Sequence, residues 1–151
     1  MTADDRSADA RAIEQLIARQ FASVSWAPGR PADWQAFVAD FHPDARLYPA
    51  ARPAQRQTVE AFVERMTGLA ETSLRSFRES MLRADVHVFG NTAAALAACE
   101  IIENEAEVTR GVEVLLLIKN GGAWQIVSQA WDVESEGKPL PERLLAGTRR
   151  D

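Results

Sequence analysis

The sequence predicts an α+β domain in which three N-terminal helices cover one face of a curved antiparallel sheet. Two observations predict it. Up to about residue 77, apolar residues recur mostly at helical spacing; from Arg78 to Glu134 they alternate as in long strands interrupted by tight-turn signals. The last of these signals, Asn120-Gly121-Gly122, marks a hairpin strongly, because glycine accepts the positive φ that two-residue turns require.

Residues 1–7 are polar and read as a flexible tail. From Ala8 a helix is expected, with Ile13, Leu16, Ile17, Phe21 and Val24 on one face and Pro28-Gly29 as its stop. Asp33 is placed to cap a second, short helix in which Trp34, Phe37, Val38 and Phe41 follow helical spacing. His42-Pro43-Asp44 breaks that helix, and residues 45–48 form a short strand closed by Pro49. Gln57 or Thr58 opens a third helix, with Val59, Phe62, Val63, Met66 and Leu69 on one face. Four antiparallel strands follow, joined by turns at 90–92, 104–107 and 120–122, and residues 136–151 form a C-terminal extension in which Leu140, Leu144 and Leu145 can dock on the body. The folded domain is expected over residues 8–135.

The length of 151 residues suits one domain, and the balance of 46% hydrophobic and 26% charged residues argues against disorder. A net charge of -5 offers no attraction for nucleic acid or for an anionic membrane surface. The single cysteine, Cys99, lies in an apolar strand with no basic neighbour, so it reads as a buried inert thiol in a reducing compartment. The N-terminus has neither the basic nor the apolar region of a signal peptide, and the longest apolar run, Val-Leu-Leu-Leu-Ile at 114–118, is of strand length. A cytoplasmic location is the expectation.

Strand register points to a cluster of acids. A two-residue turn at Gly121-Gly122 sets Lys119 opposite Trp124, and by extension Leu115 opposite Ser128, Glu113 opposite Ala130 and Gly111 opposite Asp132. A two-residue turn at Glu105-Ala106 sets Glu100 opposite Gly111, whereas a three-residue loop would not. On this register Glu100, Glu113 and Asp132 share a face beside Gly111, which leaves room for a ligand or a close backbone. Three carboxylates in a dry site raise one another's pKa, as general acids require. The plainer alternative sets them at the wet mouth of the domain or against arginines. No histidine accompanies them, so no metal site and no cofactor is expected. His42 and His87 read as surface residues.

Three stretches carry a family resemblance: Phe-His-Pro-Asp-Ala at 41–45, Gly-Asn-Thr-Ala-Ala at 90–94 and Lys-Asn-Gly-Gly-Ala-Trp-Gln-Ile-Val at 119–127. In this order they resemble the nuclear transport factor 2-like, or SnoaL-like, superfamily of cone-shaped α+β domains. That resemblance implies a cone-shaped sheet and no single reaction, since the superfamily holds isomerases, cyclases, dehydratases and noncatalytic modules. The ketosteroid isomerase positions correspond here to Phe21, Pro49 and Leu115 or Leu116, none of which moves a proton. The Trp-Asp pair of the polyketide cyclases is matched by Trp131-Asp132, with Asp132 at the position of the acid, while the Glu-His before that pair is replaced by Gln129-Ala130.

The resulting expectation is an apolar cavity for a small apolar or aromatic ligand, with Asp132, Glu113 and Glu100 as candidate catalytic acids and Trp26, Tyr48, Phe62 and Met66 as candidate ligand contacts. Two functions remain open: proton-transfer catalysis without a cofactor, or a noncatalytic module that binds a ligand or another protein. The strands are apolar on both faces, so a homodimer through the outer sheet face is also expected, burying Val112, Val114, Leu116, Val127 and Gln129.

Overall fold

A computed structural model of the chain describes residues 1–145. Helices α1 (Ala3–Ser23) and α2 (Trp34–Ala39) precede strands β1 (Phe41–Tyr48) and β2 (Gln57–Thr58) and helix α3 (Val59–Glu71). The long strands β3 (Phe77–Phe89), β4 (Thr92–Glu103), β5 (Glu107–Asn120) and β6 (Ala123–Val133) follow, and a 3-10 turn at Glu142–Leu144 comes last. The expected α+β class holds. The sheet is larger than the sequence suggested, with six strands in the order β2-β1-β6-β5-β4-β3, and β1 runs parallel to β6. None of the described helices is long and apolar enough to cross a membrane.

Helix caps explain where the helices begin. In α1, the Asp5 N–H donates to Thr2 Oγ1 (3.1 Å) while the Thr2 N–H donates to the Asp5 carboxylate (3.0 Å). This capping box starts the helix at Ala3 rather than Ala8, ahead of the first buried stripe residues, which periodicity cannot detect. Asp33 caps α2 through the Ala36 N–H and Thr58 caps α3 through the Ala61 N–H, as their sequence positions suggested. His42-Pro43-Asp44 does not separate a helix from a strand. It lies inside β1, where pairing with β6 shifts between Phe41 and Arg46.

The core lies between the helices and the inner sheet face. Ile13, Leu16, Ile17 and Phe21 of α1 and Phe62 and Met66 of α3 pack with Ala95, Ala97, Leu115, Leu117 and Ile126. Asp9 is buried at one end of this layer and accepts hydrogen bonds from Trp124 Nε1 and Lys119 Nζ, each at 3.0 Å. Part of the outer face is also covered. Leu140 and Leu144 pack on Ala98, Leu96 and Val112, so the extension supplies a cover that the sequence reading left to a second subunit. The end of that extension, residues 146–151, lies outside the described residues.

Register decides which side chains face the core. The β5–β6 hairpin turns through Gly121 and Gly122, both at positive φ, and pairs Lys119 with Trp124 as expected. Between Leu116 and Leu117 the pairing then slips by one residue, so Leu115 lies opposite Gln129, Glu113 opposite Trp131 and Gly111 opposite Val133. The β4–β5 connection is three residues, Asn104-Glu105-Ala106, with Asn104 and Glu105 at positive φ. It pairs Glu103 with Glu107, Glu100 with Arg110 and Cys99 with Gly111. Each one-residue shift exchanges the faces of everything beyond it.

Candidate functional site

These two shifts separate the three acids expected on one face. Glu113 stays on the inner face and is buried. Asp132 turns to the outer face and is half-exposed, with Lys138 Nζ 3.1 Å from its carboxylate and its own strand's Val133 N–H donating to Oδ1 at 2.8 Å. Those hydrogen bonds, the Val133 one first, hold its carboxyl below the usual carboxylate range, opposite to the rise expected of a buried acid. Glu100 pairs across the outer face with Arg110 and Ser80. Neither Asp132 nor Glu100 reaches the interior, so the three acids expected to share one face do not meet. Gly111 serves the close-backbone role: a Cβ there would lie 2.5 Å from the Asp132 carbonyl oxygen.

The inner face carries a different polar set. Glu79 on β3, Cys99 on β4, Glu113 on β5 and Gln129 on β6 form a diagonal row, each two residues from the partner directly opposite its neighbour. Gln20 of α1 faces this row. Gln20 and Gln129 exchange amide hydrogen bonds at 2.9 and 3.0 Å, and Gln129 Nε2 donates to Glu113 Oε2 at 2.5 Å. The backbone N–H of Glu79 donates to Ser25 Oγ at 3.0 Å. No cation pairs with Glu79 or Glu113 among the described residues. Burial pushes the Glu79 carboxyl up to about 7, opposed only by a hydrogen bond from Cys99. Burial, reinforced by the charge of Glu79, raises Glu113 well above the usual range against the donor from Gln129. Cys99 is an inert thiol, raised by burial and then by both glutamates.

Glu79, Glu113, Gln20 and Gln129 line an interior cavity of about 20 Å³, walled by Val24, Leu47, Phe37, Phe41, Phe62 and Trp131. That volume holds about one water molecule. Phe62 stacks on Phe37 (5.4 Å between centroids) and meets Trp131 edge-on at 5.8 Å. Of the candidate ligand contacts, Phe62 therefore belongs to the cavity. Met66 packs in the core without lining it, and Trp26 is stacked on Phe77 with its Nε1 donating to the Leu74 carbonyl (2.8 Å). Tyr48, exposed and opposite Ala130, is on the outer face. Gln129, expected at an outer interface, is buried inside, because the slip in β6 reverses its side.

Sequence reasoning passed over Glu79, Gln20 and Trp131. Two of them were legible. Gln20 falls in the apolar stripe of α1 between Ile17 and Phe21, and Glu79 shares the strand phase of Phe77 and Met81. A polar residue in an apolar phase signals a buried polar group. Trp131 required the slip in β6 to be known. His87 is exposed at 3.2 Å from Asp85, and His42 Nδ1 accepts the Asp44 N–H.

A family model described as "Putative lumazine-binding" matches residues 9–132. No curated protein matches the chain. Several solved structures share its fold. One is described as "Putative Scytalone Dehydratase", from Novosphingobium aromaticivorans, with 14% identity, a TM-score of 0.72 and coverage of 89% of each chain. A nuclear transport factor 2-like protein of unknown function from Pseudomonas putida has 17% identity, a TM-score of 0.66 and coverage of 91% of this chain and 94% of its own. A hexachlorocyclohexane dehydrochlorinase from Novosphingobium barchaimii has 11% identity, a TM-score of 0.71 and coverage of 89% and 92%. At these identities the likeness is one of fold, and the fold is the nuclear transport factor 2-like cone.

Proposed function

The chain belongs to the "Putative lumazine-binding" family, and from that premise we propose that it binds a small, flat, largely apolar molecule inside the cone and moves a proton on it with Glu79 and Glu113. One observation carries this reading: two carboxyls buried without a cation at the end of an aromatic-walled cavity. Two such groups cannot both ionise cheaply, so the pair titrates as a unit, with one carboxyl protonated and one free to accept a proton. An acid beside a base is what abstraction of a proton next to a carbonyl needs: the carboxylate takes the C–H proton and the neighbouring acid donates to the forming enolate oxygen. Gln129, clamped by Gln20, orients Glu113 for either role. The dehydratase and dehydrochlorinase among the fold neighbours bear names that denote eliminations, which agrees with such chemistry.

The small size of the cavity weighs against turnover inside the cone and keeps a second reading, a noncatalytic module that binds a ligand or another protein. At about 20 Å³ the interior admits no organic ligand until Trp131 or Phe62 moves. The readings separate in two measurements, lumazine binding by calorimetry and deuterium uptake into the aromatic ketone 2-tetralone in D2O by NMR. The catalytic reading expects exchange that Glu113→Gln or Glu79→Gln reduces by a factor on the order of 10²–10⁴. Binding without exchange supports the module. Absence of both removes the cone interior as a site.

A further inference from the structure

A second hollow lies outside the cone, between the loop after α1 and the C-terminal end of α3. It encloses about 420 Å³, within the range of small-molecule sites and far larger than the interior cavity. Trp34, half-buried, and Trp26, only 5% exposed because it is stacked on Phe77, form its apolar side, with ring centroids 6.1 Å apart and planes inclined at 50°, so Trp34 offers most of the open ring surface. Trp34 also meets Phe37 and Phe62 edge-on, at 5.5 and 6.5 Å, and these rings separate the hollow from the cone interior.

Two arginines, Arg30 and Arg75, line the same hollow on backbone that is already held. Arg30 ends a tight turn in which its N–H and C=O pair with Ala27 at 2.9 and 3.0 Å, and Gly29 supplies the positive φ of 78° after Pro28. Arg75 donates its backbone N–H to Asn104 Oδ1 at 2.8 Å, and the Asn104 amide is tied in turn to the Ser73 carbonyl at 3.0 Å. The guanidinium groups are the free part. Arg30's has no partner among the described residues, and Arg75's makes one long contact, 3.4 Å, to the Glu71 carbonyl oxygen. Glu71 is the one acid among the lining residues. In a chain of net charge -5, two arginines beside two indoles at one hollow are a local exception. Guanidinium groups bind carboxylate, sulfonate or phosphate through paired donors, and indole faces take a flat ring.

We propose that this hollow is a binding site, distinct from the cone interior, for a small aromatic anion whose ring lies against Trp26 and Trp34 and whose acidic group meets Arg30 and Arg75. The site does not depend on the chemistry assigned to Glu79 and Glu113.

The test compares two fluorescent probes of similar shape, 1-anilinonaphthalene-8-sulfonate and the uncharged N-phenyl-1-naphthylamine, with wild type, Arg30→Gln/Arg75→Gln and Glu113→Gln. Both arginines are exposed, so an unchanged melting temperature is expected to show that the double variant is folded. The sulfonate should bind wild type, lose tenfold or more affinity in the arginine variant and keep its affinity in Glu113→Gln. The uncharged probe should bind the arginine variant and wild type alike. In 1H–15N spectra the indole signals of Trp26 and Trp34 should move with the sulfonate while that of Trp124, held by Asp9, stays. Equal affinity for the two probes, an arginine variant with no effect, or stationary Trp26 and Trp34 signals would each overturn the proposal. Loss of sulfonate binding in Glu113→Gln would place the probe in the interior and overturn it too.

Discussion

Glu79 and Glu113 owe their properties to neighbours more than to sequence context. Each is a buried carboxyl whose partners bear no charge: the Gln129 amide donates to Glu113, and the Cys99 thiol to Glu79. Stability should therefore depend on pH with a definite sign. An acid whose folded pKa is raised favours the fold below its unfolded value, and that advantage disappears as pH rises through the folded value. For Glu79 the window runs from its ordinary 4.5 to about 7. Chemical denaturation of wild type should show stability falling across this range by up to about 1.4 kcal/mol per pH unit for each group. Glu79→Gln should flatten that slope and be the more stable protein at pH 8; a slope unchanged by the substitution would show that Glu79 is ionised throughout. Asp132 behaves oppositely. Its carboxyl is exposed and its pair with Lys138 is a solvent-screened surface contact, so Asp132→Asn should change the melting temperature little and leave 2-tetralone exchange as in wild type. A large loss of exchange in that variant would return Asp132 to the reaction.

At the scale of elements, two small irregularities set the site. The three-residue loop 104–106 turns Glu100 outward, and the slip in β6 turns Asp132 outward while bringing Gln129 and Trp131 in. Gly111 leaves no room for a side chain against β6, since a methyl group there would press on the Asp132 carbonyl at 2.5 Å. Backbone on that side cannot rotate away as a side chain would. Gly111→Ala should therefore destabilise by roughly 1–3 kcal/mol, the usual cost of overpacking, measured as a lower denaturation midpoint with unchanged m-value. A neutral outcome would mean that the strands part locally. On the helical side, Phe62 is in contact with three aromatic rings, Trp34, Phe37 and Trp131. Phe62→Ala should cost about 3–5 kcal/mol if the cavity stays closed, and a much smaller loss in a calorimetric melt would show that Phe62 borders an opening.

For the whole molecule, the outer sheet face is the surface available for assembly. The extension covers Ala98 with Leu140 and Leu144, yet Val114 and Leu116, two residues apart on the same face of β5, are still 47% and 51% exposed, and exposed Tyr48 lies on that face across Ala130. Apolar side chains clustered on a sheet are usually covered. A second copy is the expected cover, burying about 1,200 Å² or more in total, and Gln129 takes no part in it because it faces inward. Sedimentation at micromolar concentration should give a dimer, and Leu116→Glu should give a folded monomer. Wild type sedimenting as a monomer would leave that face without a partner copy.

What the amino-acid sequence determined by itself was the class of fold, the buried faces of α1 and α3, two of the three caps, the Gly121-Gly122 hairpin and the buried state of Cys99; in α2 only Phe37 is fully buried, Val38 is exposed and Phe41 belongs to β1. Each of these follows from local chemistry: spacing at 3.6 or 2 residues, a side chain able to accept an N–H, or a residue able to hold positive φ. The tertiary structure decided which acids meet. A strand's faces depend on a count that must be right at every position, and one extra residue in a loop or a bulge reverses all that lies beyond it. Local sequence carries almost no signal for such a residue. The extra residue at 104–106 required Asn104 and Glu105 to adopt positive φ, held in part because Asn104 ties the backbone of residues 73–76. The slip in β6 appears only in its pairing with β5. The polar row on the inner face thus emerges from contacts made far apart in the chain, such as Gln20 to Gln129.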